Sequence, residues 1–281
     1  MINAIQDTVA VVDTVRKSSG GGGWILQEVM DSHKIDFEPF GFLNLPHLSL
    51  FGFDISITKH IFFSWIVALI LIVVLFFVAR SYKKSLIPKG LTNFFEIIII
   101  FVRDEIVKPT IGKGYEFFLP FHLTVFFFVL LAGLFGLVPY SSTVTGNIAV
   151  TAALAGISFI AIQLGGIKSN GFFGYFKGLI PSGMPKWLLV IIIPLEILGL
   201  FTKPFALCIR LFANMIAGHV VILSLIGLIF IFSAFAYAVA PISVGFSLFI
   251  YLLDILIILI QAYIFTMLTA LFIGMAVHQE H

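Results

Sequence analysis

Charge is what this sequence of 281 residues has least of: Asp, Glu, Lys and Arg together make up 11% of it, against about 25% in an ordinary soluble domain. With 60% hydrophobic residues and a mean hydropathy of +1.14, the deficit excludes a soluble globular fold. It implies a polytopic membrane protein. The net charge of +2 is too small for a nucleic-acid partner. A single cysteine, Cys208, excludes an internal disulfide and any thiolate metal cluster, and is expected to pack as a small apolar residue. No Gly-x-x-x-x-Gly-Lys-Ser/Thr loop is present, so no nucleotide site of that kind is expected, and no cofactor is expected. Residues 1–23 include Asp7, Asp13, Arg16 and Lys17 and lack an unbroken apolar core, so a cleavable leader is not expected either.

What is present in abundance is long apolar runs. Residues 1–59 read as a polar N-terminal tail, broken by the glycines at 20–23 and carrying seven of the fourteen acids. Residues 60–281 read as the membrane domain. Apolar runs near 61–79, 117–138 and 148–164 have spanning length, and residues 91–107 mix charge with apolar bulk as a short amphipathic helix would. Two longer runs follow, at 187–234 and 241–277. At 1.5 Å per residue even the shorter extends roughly 50 Å, well beyond a hydrocarbon core of about 30 Å, so these helices must tilt strongly or project. The fold expected is all-α, with five transmembrane helices plus the short amphipathic one and the last two helices forming a long sloping hairpin.

Lysine and arginine set the orientation. The connections 80–116 and 165–186 are basic, whereas 139–147 and 235–242 hold none. The positive-inside rule then places the N-terminal tail outside and the C-terminus in the cytoplasm.

The stretch 187–277 holds only four charged side chains, Glu196, Lys203, Arg210 and Asp254. Arg210 is the costliest. A guanidinium cannot shed its proton, and placing it mid-span costs roughly 2.5–3.5 kcal/mol on insertion scales. Its most suitable job in a membrane is the handling of ions. Glu196, Lys203 and Arg210 are seven apart, which is nearly two helical turns, so they drift only about 20° per step and share one stripe. Asn214 stays near that stripe, while His219 falls on roughly the opposite face. Asp254 and Gln261 share a face of the last helix, and antiparallel packing would bring Gln261 near Arg210 and Asp254 near His219.

The run Leu207-Cys-Ile-Arg210-Leu-Phe-Ala-Asn214-Met-Ile-Ala-Gly218-His219, with Glu196 and Pro204 ahead of it and Ile260-Gln261-Ala-Tyr-Ile-Phe265 behind, resembles the a subunits of F-type ATP synthases over roughly residues 40–281. Many bacterial members carry an acid at the His219 position and a histidine at the Asp254 position. Here the two types are exchanged, and a His–carboxylate pair survives. The resemblance implies a non-catalytic membrane stator whose two long helices lie against a rotating ring of c subunits, with the peripheral-stalk b subunits and membrane lipids as further partners. It implies two offset half-channels that deliver protons to and from a rotor carboxylate, separated by Arg210. His219 and Asp254 would line the outer one, Asn214 and Gln261 would hold Arg210 or water, and Glu196 would line the cytoplasmic one or pair with Lys203. His122, Ser141, Ser142 and Asn147 would add to the outer path. The expected setting is a bacterial inner membrane, the mitochondrial inner membrane being the alternative. A rival reading is a secondary transporter in which Arg210 binds an anionic substrate.

Overall fold

A computed structural model describes residues 34–36, 42–44, 49–50, 53–54, 58–82, 90–138, 141, 143–178, 186–232 and 235–278. Helix dominates. The described helices are α1 (Lys59–Tyr82), α2 (Leu91–Phe101), α3 (Lys108–Ile111), α4 (Tyr115–Gly136), α5 (Ile148–Asn170), α6 (Phe172–Gly178), α7 (Lys186–Ile231) and α8 (Ala236–Val277). Five of them, α1, α4, α5, α7 and α8, are long and apolar enough to cross a membrane, so the chain is an all-α membrane protein with its last two helices much the longest. Ahead of α1 lie two small antiparallel hairpins, β1 (Lys34–Asp36) with β2 (Phe42–Asn44) and β3 (Ser49–Leu50) with β4 (Phe53–Asp54). The polar tail expected from the sequence thus carries short paired strands.

The chain divides into two compact units. The larger holds residues 61–212 and 258–281, the smaller residues 1–60 and 213–257.

In the larger unit α4 is the enclosed helix. Its Phe135 and Phe127 rings meet Phe63 of α1 at 5.9 Å and Phe95 of α2 at 5.5 Å, and Val129 and Ala132 are fully enclosed. Aromatic pairs at such spacing add packing energy beyond the area they bury. α1 instead leaves Trp65, Leu69, Ile72 and Phe76 uncovered. Spaced four, three and four apart, they form one apolar stripe, as a helix bordering lipid requires. Between α2 and α3 the chain widens into a π-helical turn, Val102–Val107. Its Val102, Ile106 and Val107 are buried, whereas Arg103 grips Asp104 through two 2.9 Å bonds. That guanidinium holds the Asp104 carboxyl below the usual carboxylate range.

Boundaries moved where packing overrode local signals. Gly165 and Gly166 read as the end of the third span, yet α5 runs on to Asn170. Side chains fill the space over both glycines: Phe118 and Ile273 lie over Gly165, Tyr175 and Ala276 over Gly166. The contacts return what glycine costs a helix, about 1 kcal/mol relative to alanine. Pro241 read as the first residue of the last span, but α8 begins at Ala236. Proline there forfeits one bond, to the carbonyl of Tyr237, a fully exposed residue.

The end of α8 is pinned by distant residues. Asn170 Nδ2 donates to the carbonyls of Ala276 (2.9 Å) and Val277 (3.3 Å), and Ser169 Oγ donates to Val277 O at 3.2 Å. These cap carbonyls that a helix cannot satisfy internally. His278, the residue just past α8, bonds the Ile111 carbonyl through Nε2 at 2.7 Å. Gly274 lies directly on the Thr110 carbonyl, so close that a β-carbon would collide with the oxygen. Gly274→Ala is therefore expected to cost about 1–3 kcal/mol by overpacking. The check is thermal release of the chain from detergent-solubilised complex, which should occur at lower temperature than in the wild type; unchanged release would contradict this packing.

Candidate functional site

Three of the sequence-derived candidates, Glu196, Arg210 and Gln261, belong to the larger unit, and three, Asn214, His219 and Asp254, to the smaller.

Glu196 and Arg210 ride on α7, which runs without interruption from Lys186 to Ile231 despite Pro194 and Pro204. Because the helix is continuous, the seven-residue spacing keeps Glu196, Lys203 and Arg210 on one stripe. The helix packs through Leu207, Cys208 and Leu211, all buried, and Cys208 Sγ sits 3.5 Å from Thr151 Oγ1 of α5. Phe159 of α5 and Phe201 stack at 5.7 Å lower on the same pair of helices. Arg210 turns away from that face and is exposed. Among the described residues it has no hydrogen-bond or ion-pair partner.

Glu196 is half-buried on the same stripe. Pairing between Glu196 and Lys203 does not occur among the described residues. Lys203 instead places its ammonium 5.1 Å from the centre of the Phe272 ring on α8, a cation–π arrangement. That contact sets the level of α8 beside α7. Seven residues on from Lys203 is Arg210, and seven back from Phe272 is Phe265, so half-buried Gln261 lies about one helical turn from the level of Arg210. The expected neighbourhood of the two side chains agrees with this register, although no bond joins them.

In the smaller unit the second expected pairing takes a definite form. Asp254 is 8% exposed, and its carboxylate rests on the backbone of Gly218: a β-carbon at that glycine would stand 2.6 Å from both carboxylate oxygens. The antiparallel register expected from the sequence sets Asp254 near His219, one residue away. His219 and Asn214 are half-buried.

The residues offered for an outer path separate. Ser141 caps the end of α4, its Oγ donating to the carbonyls of Phe135 and Val138, and Asn147 N-caps α5 by accepting from Ala149 N–H at 2.8 Å. Both therefore serve the α4–α5 connection. Ser142 lies outside the described residues. His122 does not join this group: it sits two turns into α4 from the opposite end, fully buried.

Two features of the site and its supports differ in how far the sequence signals them. The glycine under Asp254 carries a local signal, an Ala-Gly-His step in a helix where glycine is otherwise unfavourable. The Asn170 cap on α8 joins residues more than a hundred apart, and no local pattern announces it.

The chain is similar to known proteins over most of its length. The family model described as "ATP synthase A chain" matches residues 61–274, which includes all six candidates. A protein named ATP synthase subunit a from Chloroherpeton thalassium is 52% identical over 260 residues, covering 91% of this chain and 77% of its own length. ATP synthase subunit a 2 from Chlorobaculum tepidum is 49% identical over 258 residues, with 91% and 73% covered. ATP synthase subunit a from Myxococcus xanthus is 48% identical over 230 residues, with 81% and 75% covered.

Proposed function

Since the chain belongs to the ATP synthase A chain family, and so serves as the proton-translocating membrane stator of an F-type ATP synthase, we propose that Arg210 separates two half-channels along its last two helices. The bacterial relatives and the five apolar helices support a multi-pass protein of a bacterial membrane. The tail before α1 faces outward and the C-terminus the cytoplasm, as the basic connections require.

One observation carries the reading: an arginine exposed on a helix of the membrane, with no anion beside it among the described residues. A charge of that kind is stable only if something outside the chain complements it. The complement is a carboxylate on a ring of c subunits. Facing Arg210, that carboxylate favours its ionised form, because an opposite charge within a few ångströms lowers its pKa. The proton leaves on one side, and the fixed cation opposes any proton crossing directly in a low-dielectric setting. Each proton descending the membrane potential releases about 2.3 kcal/mol per 100 mV, and the blocked leak routes that energy into rotation.

The other residues divide by position along the helices. His219 and Asp254 lie toward the α7–α8 turn and line the outer half-channel, where a histidine relays protons near neutrality. Glu196 lies toward the other end of α7 and lines the cytoplasmic one. Asn214, four residues on from Arg210 along α7, and Gln261, about one helical turn from its level on α8, hold the guanidinium and its water. The chain itself is non-catalytic; ATP chemistry belongs to partner subunits, and the peripheral-stalk b subunits hold it against the ring.

Isolation tests the assignment. The chain is expected to co-purify with an oligomeric ring of small helical hairpins and with stalk subunits, and to move no solute when reconstituted alone. Solute transport by the isolated chain in liposomes would contradict the stator assignment. A second expectation concerns Asp254. Asp254→Asn keeps the shape and removes the titrating group, so proton-driven ATP synthesis should fall about a hundredfold or more, the scale of a positioned proton-transfer group, with assembly intact. Synthesis at the wild-type rate would remove Asp254 from the path.

A further inference from the structure

Buried in the larger unit, apart from the residues above, is a histidine with one ring nitrogen unmatched. His122 of α4 is fully enclosed. Its Nδ1 lies 2.8 Å from the Phe118 carbonyl; a carbonyl only accepts, so Nδ1 carries the proton. Its Nε2 has no partner. Ser158 of α5 is also fully enclosed, and its hydroxyl has no partner.

The helix contacts bring these two groups to neighbouring levels. α4 and α8 run antiparallel: Gly133 lies against Ile258, and Phe118 and Ile273 together flank Gly165. Four residues on from Phe118 is His122, and four back from Ile273 is Thr269. α5 and α8 run parallel, with Gly165 by Ile273, Gly166 by Ala276 and Ser169 bonded to Val277. Seven residues back from Gly165 is Ser158, and seven back from Ile273 is Thr266. His122 with Thr269 and Ser158 with Thr266 thus occupy adjacent levels, about one turn or 5 Å apart, where three helices meet. Both threonines are fully enclosed.

Neither threonine can supply Nε2. Each donates its only hydroxyl proton to its own helix, Thr266 to Ala262 O and Thr269 to Phe265 O, at 2.8 Å apiece. Their oxygens keep accepting capacity and have no proton left. The α8 residues on the same face, Ala262 and Ala270, are small and fully buried. The locus therefore has an unmatched ring nitrogen, an unmatched hydroxyl and two spare acceptors, all away from solvent. An unmade bond on a buried polar group costs about 1–3 kcal/mol, and a buried water typically answers by making about three bonds.

We propose that His122, Ser158, Thr266 and Thr269 enclose a binding site for a single internal water molecule, which bonds His122 Nε2 and Ser158 Oγ. Water fits because it both donates and accepts, so it completes the imidazole and the serine together. The site lies two to three turns in from the start of α4 and from the end of α8, and it holds whether or not Arg210 separates half-channels.

The test uses the assembled complex with ¹⁵N-labelled histidine, examined by solid-state NMR in membranes. The His122 signal is assigned by its disappearance in His122→Phe. The expected result is an Nδ1-protonated ring whose Nε2 resonance is displaced as a hydrogen-bonded nitrogen and correlates with water protons, the correlation fading in D₂O. Ser158→Ala, which removes one oxygen without disturbing helix packing, should weaken or abolish that correlation. An Nε2 resonance at the position of a bare nitrogen with no water correlation overturns the proposal. So does a correlation that Ser158→Ala leaves untouched.

Discussion

Arg210→Ala should abolish proton-driven ATP synthesis while leaving the complex assembled. The expected size follows from the charge. A unit charge 4 Å from a carboxylate is worth about 4 kcal/mol at an effective dielectric of 20. At about 1.36 kcal/mol per pKa unit, losing it returns the rotor carboxyl about three units toward its proton, so release should slow by about a thousandfold. Assembly is expected to survive, because Arg210 is exposed and contributes no bond among the described residues, while α7 packs through Leu207, Cys208 and Leu211. Measured side by side, the complex should be recovered in normal amount and synthesis should be undetectable. Normal synthesis would remove Arg210 from the mechanism, and absence of the chain from the complex would show its role to be structural. Arg210→Lys keeps a cation but loses the planar fork, so it is expected to recover only part of the activity.

The second large effect is expected at Gly218, where the sequence shows a small residue and the structure shows why. With a β-carbon 2.6 Å from both Asp254 oxygens, Gly218→Ala must displace a buried carboxylate. The overpacking costs about 1–3 kcal/mol, and synthesis should drop at least as far as in Asp254→Asn because the carboxylate leaves its place. The double variant Gly218→Ala/Asp254→Ala separates the two consequences. Removing the carboxylate relieves the collision, so thermal stability should recover while synthesis stays low, a non-additivity typical of residues in contact. Stability losses that simply add would show that the two residues are independent.

Much of the architecture was legible because membrane spans announce themselves through hydropathy and helices through a fixed period. The continuity of α7 through Pro194 and Pro204 kept Glu196, Lys203 and Arg210 in one stripe, and the hairpin register placed Asp254 within one residue of its observed neighbour Gly218. What could not be read depends on partners far away in the chain. Gly165 and Gly166 look like an ending until Phe118, Tyr175 and Ile273 fill the space above them. His278 looks like a tail until the Ile111 carbonyl receives it. The Glu196–Lys203 pair, reasonable from spacing, is absent among the described residues because Phe272 offers the lysine a face. The hairpins at 34–54 left no period strong enough to register, since strands of two or three residues are too short for alternation to be counted.

The most direct measurement is of protons crossing when the rotor cannot turn. Vesicles carrying the complex, with the rotor cross-linked to the stator, are given a proton gradient and followed with a pH-sensitive dye. The wild type should stay tight. In Arg210→Ala, with the fixed charge gone, protons should pass between the half-channels and the gradient should collapse. An equally tight membrane in the variant, rotor locked, would contradict the claim that this guanidinium is what keeps the two paths apart.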